Sequence, residues 1–138
     1  MRFDELAVGA SAEVARRVDD AEIVAFAALS GDHNPIHLDD AAGAASRFGG
    51  RIAHGMLSAT FISATLATVL PGPGTIYLSQ SLRFVRPVRL GDTVTTRVEV
   101  LELIPAKRRV RLATTCRTQE GAIVIDGEAL VMLPDDSS

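Results

Sequence analysis

The segment from Met56 to Leu70 constrains this chain most, because it carries no charged residue over its whole length. Its only polar members are the short hydroxyls of Ser58, Thr60, Ser63, Thr65 and Thr68. A membrane span needs about 20 largely apolar residues, so this stretch is too short and too polar to cross a bilayer. It reads as a buried helix over roughly Gly55 to Leu70, ended by Pro71-Gly72-Pro73-Gly74. A helix that is apolar on most sides must be covered on most sides.

The cover is written in the C-terminal half, where the period changes to two. Val94, Thr96, Val98 and Val100 alternate with Thr95, Arg97 and Glu99, and Val110, Leu112, Thr114 and Cys116 alternate with Arg109, Arg111 and Thr115. Residues 122–133 form a third such run and Ile76 to Val85 a fourth. These patterns predict strands with one wet face, as in an antiparallel sheet. Gly91-Asp92, Pro105-Ala106 and Glu120-Gly121 are the turns between them. With residues 11–18 as a further strand, about five strands wrap one apolar helix. That is an α+β architecture, the hotdog fold. One such sheet leaves edges open and the helix incompletely covered, so at least a homodimer is expected.

Between residues 18 and 55 the signals are local. Asp19 reads as a helix N-cap with Glu22 as its capping-box partner. Ile23, Phe26, Ala27 and Ser30 share one face of a helix that Gly31 ends. Asp32-His33-Asn34-Pro35 is turn chemistry, and Asp39 to Phe48 suit a second short helix stopped by Gly49-Gly50. No repeat or linker interrupts residues 1–138, which read as one domain with a frayed tail at 135–138.

The net charge of −3 argues against broad nucleic-acid binding. The single cysteine, Cys116, excludes an intrachain disulfide. The opening MRFDELAVGASAEV lacks a basic region followed by an apolar run, so the expected address is the cytoplasm, with no membrane partner.

The chemistry concentrates in Phe26-Ala-Ala-Leu-Ser-Gly-Asp-His-Asn-Pro-Ile-His37. Asp32 and His37 flank a turn stiffened by Pro35. A carboxylate and an imidazole held around one water polarise it and move its proton. Three readings stand at this point. The pair does acid–base work; or Asp32 caps the turn and His37 is a structural histidine; or Asp32, His33 and His37 ligate a metal. The last is disfavoured by the lack of a nearby fourth ligand, and His33 is expected to face solvent. Cys116 falls on the inward side of a strand and reads as core rather than nucleophile. Arg83, Arg86, Arg89, Lys107, Arg108, Arg109 and Arg111 are basic, either as a solvated strand face or as contacts for phosphates or an acidic carrier. No GxSxG elbow, P-loop or dinucleotide fingerprint is present.

The segment resembles the signature of the MaoC-like, R-specific enoyl-CoA hydratases (hydratase 2) of short, stand-alone bacterial type. Phe26, Leu29, Ser30, Gly31, Asp32, Asn34, Pro35, Ile36 and His37 all fit that signature. Gly43 departs from it, standing where the pattern has Ala or Ser, and a slightly looser helix is expected there. The likeness continues through Ala53-His-Gly-Met-Leu57, Tyr77-Leu-Ser-Gln-Ser-Leu82 and Phe84-Val-Arg-Pro-Val88-Arg-Leu-Gly-Asp92.

The resemblance implies that Asp32 and His37 hold a catalytic water, that Asn34 supports them, and that the backbone N–H of Gly55 meets the thioester carbonyl. A helix N-terminus offers unpaired N–H groups there, and they stabilise the enolate that hydration builds. Continuing from Gly55 along the helix, Ala59, Ile62 and Leu66, with Ser63 beside them, are expected to line the acyl pocket, Leu66 as its floor.

The implied reaction is reversible hydration of trans-2-enoyl-CoA to R-3-hydroxyacyl-CoA in fatty-acid metabolism. It uses a coenzyme A thioester as substrate and needs neither cofactor nor metal. The alternatives are a dehydratase acting on acyl-carrier-protein thioesters, a hotdog thioesterase and a non-catalytic acyl-CoA-binding module. A thioesterase generally needs a carboxylate or similar group on the apolar helix, and residues 56–70 hold no Asp, Glu or His.

Overall fold

The alternating runs form the sheet. In the computed structural model, which describes residues 1–135, the strands are β1 (Ser11–Arg17), β2 (Ile76–Gln80), β3 (Arg83–Phe84), β4 (Thr93–Ile104), β5 (Arg109–Arg117) and β6 (Ile123–Met132). They lie in the order β1-β4-β5-β6-β2, with β3 also on β6, and all pair antiparallel. The count is six rather than five, because the run from Ile76 to Val85 divides. A register shift between Tyr77 and Ser79 bends it, and Ser81 donates its N–H to Glu128 before β3 resumes the pairing.

The apolar helix is α4 (Gly55–Thr68). The inward positions expected from the alternation meet it: Val94, Val98, Val100, Val110, Leu112 and Cys116 are all fully buried. They share one core with Leu57, Phe61, Ile62 and Leu66 of α4. Each aliphatic side chain so buried contributes about 1.5–3 kcal/mol. No helix among the described residues is long and apolar enough to cross a membrane.

Three shorter helices form a ledge above the N-terminus of α4: α1 (Asp20–Ser30), α2 (Pro35–Leu38) and α3 (Asp40–Ala45). Asp19 does occupy the N-cap position of α1, but its side chain caps nothing. Its Oδ1 instead accepts from Arg17 Nε at 2.8 Å, and Glu22 Oε2 is buried without a hydrogen-bond partner among the described residues. The expected capping box therefore does not form, because Arg17 competes for the carboxylate. Gly31 ends α1 in the left-handed region (φ 81°), donating its N–H to Ala27.

The single helix expected over Asp39 to Phe48 is also corrected. Pro35 starts a helical turn, α2, whose geometry its fixed φ suits. Asp39 closes that turn, and its Oδ1 then accepts the N–H of Ala41 to begin α3. The hydroxyl of Ser46 bonds back to the Gly43 carbonyl and accepts the Phe48 N–H, which stops α3 early. Nor is α3 loosened by Gly43. A methyl group there would lie 2.6 Å from the Arg51 backbone nitrogen, so the glycine lets chain 50–51 pack directly on the helix. Residues 136–138, most of the tail expected to fray, lie outside the described residues.

Candidate active site

His37 is carried by α2 and is only 8% exposed. Asn34 precedes the turn and caps it, its Oδ1 accepting the Ile36 N–H at 3.2 Å. One imidazole nitrogen, Nδ1, lies 2.8 Å from the carbonyl oxygen of Ile52. A carbonyl only accepts, so this nitrogen carries a proton, and in the ring's neutral form Nε2 is the lone pair on the far side. Facing that lone pair at 3.9 Å is Asp32 Oδ2.

Asp32 sits in the loop between α1 and α2 with about half of its side chain exposed. Its Oδ1 accepts the N–H of Asn34 and its own N–H reaches Ser30 Oγ, both at 3.1 Å. Asn34 thus supports both members of the pair, one through its backbone and the other through its cap. Two acceptors, a carboxylate oxygen and a neutral imidazole nitrogen, converge on one small volume. A water molecule has two protons to donate, one to each, and this leaves its lone pair free to attack. His33 is exposed, as expected.

The segment that receives His37 is the extended chain 51–53. Ile52 donates its N–H to Ile36 at 3.3 Å, and Ala53 donates to Val88 at 2.7 Å. Arg51 holds the arrangement from beneath. Its Nε donates to the His37 carbonyl at 2.7 Å, one terminal nitrogen meets Asp20 Oδ1 at 2.6 Å, and the other lies 3.5 Å from Asp40 Oδ1. The bond to Asp20 holds the guanidinium above its ordinary pKa. Sequence reasoning passed over Arg51, because its partners lie far away along the chain.

It also passed over the role of His54, the third histidine of the chain. His54 is buried, with only 3% of its surface exposed. Its Nε2 bonds to the Asp32 backbone oxygen at 2.9 Å. Its ring stacks on His37 (centroids 3.8 Å apart, planes 27° apart) and tilts against Phe26 (4.8 Å). The only local signal was its place immediately before Gly55. Asp32, His37 and His54 offer ligand atoms within 4.8 Å of one another. However, one nitrogen of each ring is committed to a backbone carbonyl, which leaves three donor atoms at most. A structural tetrahedral ion takes four protein ligands, and the described residues offer three here.

Gly55 is the first residue of α4, where the N–H has no partner within the helix. A methyl group on Gly55 would lie 2.7 Å from the Phe84 ring. The glycine therefore admits an aromatic side chain of this chain itself. Beside it opens a cavity of about 410 Å³, with His54, Ser58, Phe84 and Arg86 in its wall. A second hollow of about 460 Å³ runs along α4 between Met56, Ala59, Ser63, Tyr77, Leu78 and Leu82.

The expected acyl stripe divides between groove and core. Ala59 and Ser63 face this groove, whereas Ile62 and Leu66, at 0% and 1% exposure, belong to the core beneath the sheet. The correction is rotational: at about 100° per residue, the line 62–66 is turned toward the sheet and the line 59–63 away from it. Cys116 is buried against Thr96, and burial pushes its thiol pKa up, as suits a core residue. Of the basic residues, Arg111 is paired to Glu102 and Glu128, and Arg86 reaches the cavity wall.

The chain is similar to known proteins. Residues 6–122 match the family model described as MaoC like domain. The chain is 52% identical over 132 residues to an (R)-specific enoyl-CoA hydratase from Rhodospirillum rubrum, covering 96% of this chain and 91% of that one. It is 50% identical over 132 residues to a 3-hydroxybutyryl-CoA dehydratase from Methylorubrum extorquens, covering 96% and 83%. Among solved structures, the unliganded R-hydratase PhaJ1 from Pseudomonas aeruginosa superposes with a TM-score of 0.94 at 54% identity, covering 98% of this chain and 86% of that chain.

Proposed function

The chain belongs to the MaoC-like domain family, and from that premise we propose that it is an enoyl-CoA hydratase, a hydro-lyase that reversibly adds water to trans-2-enoyl-CoA to give R-3-hydroxyacyl-CoA. One observation carries the mechanism: His37 Nε2 faces Asp32 Oδ2 at 3.9 Å while its Nδ1 is held by Ile52. Asp32 and His37 hold the water and take its proton as the water oxygen bonds to C3. The C2=C3 electron pair moves onto the thioester carbonyl oxygen, where the N–H of Gly55 meets the developing enolate. The proton held by the pair then goes to C2, which restores the site. Asn34 keeps both residues in place. Addition of water moves no electrons between substrate and protein, so no redox cofactor is required, and in this reading the pair and the Gly55 N–H do the work a metal would otherwise do.

The groove along α4 suits the acyl tail, with Ala59 and Ser63 in its wall and Ile62 and Leu66 behind it. The working unit is a homodimer in the cytoplasm. The dimer is supported by the open edge strand β2, on which Ile76, Tyr77 and Leu78 are exposed, and by the half-covered face of α4. The carrier is coenzyme A, for which Arg86 at the cavity wall provides a phosphate partner.

The test follows the loss of conjugated enoyl-thioester absorbance with crotonyl-CoA while monitoring free thiol. Absorbance should fall without thiol release. Asp32→Asn and His37→Ala should each lower the rate by about 10²–10⁴-fold with the melting temperature retained. Thiol release would instead identify a thioesterase. Turnover confined to carrier-protein thioesters would identify the dehydratase reading. Near-normal turnover in either folded variant would overturn the assignment of the pair.

A further inference from the structure

The two halves of the proposed site come from different parts of the chain. The water-holding carboxylate belongs to the loop at residues 31–34, and the carbonyl donor is the first N–H of α4, at Gly55. Their separation has to match the distance between C3 and the carbonyl oxygen of one substrate. The loop itself is exposed from Gly31 to Asn34, and its other hydrogen bonds are short-range, from Asp32 to Ser30 and from Asn34 to Asp32. These bonds shape the loop without placing it relative to α4.

His54 supplies that placement. It precedes Gly55 directly, so the peptide that joins the two residues bears the Gly55 N–H. Its Nε2 reaches across 22 residues of sequence to the Asp32 carbonyl at 2.9 Å. A carbonyl is an acceptor, so the His54 proton is on Nε2. The ring cannot swing away, being held between His37 and Phe26. Its Nδ1 is buried with no hydrogen-bond partner among the described residues. Leaving a buried acceptor unpaired costs stability, and a phenylalanine in the same space would not incur that cost. What distinguishes this imidazole from an apolar ring in the same space is the bond its other nitrogen makes.

We infer that His54 is a positioning residue that fixes the Asp32 carboxylate relative to the Gly55 N–H through its hydrogen bond to the Asp32 carbonyl. The inference rests on the hydratase reading. It adds a residue that borders the cavity wall but whose part in that mechanism runs through Asp32 and not through a bond to the water or the thioester. Because it sets the geometry of the reacting atoms and not the binding of coenzyme A, its loss should appear in kcat and spare KM.

Three variants separate the hydrogen bond from the ring. His54→Phe keeps the stack and removes the donor. His54→Gln places an amide N–H near the former Nε2, and His54→Asn has an amide too short to reach Asp32. With crotonyl-CoA, Phe and Asn should lower kcat by about tenfold to a hundredfold with KM within about threefold, the scale set by small misplacements of reacting groups. Gln should restore kcat to within about threefold of wild type by remaking one hydrogen bond.

A Phe variant as fast as wild type overturns the inference, as does a Gln variant as slow as Phe, or a loss confined to KM. Should Phe fail to fold, as judged by thermal melting, the contrast between Gln and Asn decides by itself. Wild-type protein and Asp32→Asn run in the same assay. A wild type that hydrates no enoyl-CoA sinks the functional reading, whereas an active wild type with an indifferent His54 sinks the positioning role alone.

Discussion

Replacing Arg51 by methionine should uncouple the ledge that carries His37 from the rest of the fold. The guanidinium is 9% exposed and makes three contacts: to Asp20, to Asp40 and to the His37 carbonyl. The two carboxylates are 63% and 89% exposed, so water rehydrates them when the partner leaves, and each pair is worth at most about 1 kcal/mol. The bond from a charged donor to the buried His37 carbonyl is worth about 1.5–3 kcal/mol. Together these give a destabilisation of about 2–4 kcal/mol, below the loss from a fully buried ion pair, because no charge is left stranded in the interior.

For a chain of this size each kcal/mol lowers the melting temperature by about 3–4 °C, so Arg51→Met should melt about 6–16 °C below wild type. The variant should also lose about tenfold in kcat, since the turn bearing His37 then loses its tie to Asp20 and Asp40. Arg51→Lys should recover part of the stability and little of the rate, because an ammonium cannot serve the His37 carbonyl and two carboxylates from one planar fork. Calorimetry and crotonyl-CoA kinetics on the same preparations provide the test. A melting temperature within about 2 °C of wild type together with unchanged kcat would refute the argument.

Two further substitutions probe the packing. Gly43→Ala should destabilise the protein by about 1–3 kcal/mol in urea, despite the better helix propensity of alanine. The added methyl meets backbone atoms at 2.6–2.9 Å that cannot rotate away, and a neutral or stabilising result would show that chain 50–51 yields. Leu66→Ala should cost about 2–5 kcal/mol as a core truncation. Ser63→Leu, on the exposed line of the same helix, should leave the melting temperature nearly unchanged while lowering kcat/KM for an eight-carbon enoyl-CoA relative to crotonyl-CoA; an unchanged ratio would remove the groove from the acyl path.

Periodicity made the sheet and the apolar helix legible in the sequence, because a strand with one buried face must alternate and a helix wrapped on most sides must be apolar on most sides. Val94 to Val100 and Val110 to Cys116 point inward as that rule requires. Glycine and proline marked the ends of α1 and α4 for equally local reasons. The pair Asp32 and His37 was legible through its motif, since both residues lie on one short turn.

What lay outside the reach of the sequence depends on partners far apart along the chain. Which nitrogen of His37 carries the proton follows from Ile52, 15 residues on. Arg51 meets Asp20 across 31 residues, and His54 meets Asp32 across 22. Asp19 looked like a cap, yet Arg17 takes its carboxylate. Gly43 looked like a loosening of its helix, and it is where a second stretch of backbone presses in. Ile62 and Leu66 looked like pocket, but the packing of α4 on the sheet turned them into the core and left Ala59 and Ser63 facing the groove. Local pattern determines which face of an element is buried. The hydrogen bonds and close contacts made once the elements have packed determine the chemistry of the site.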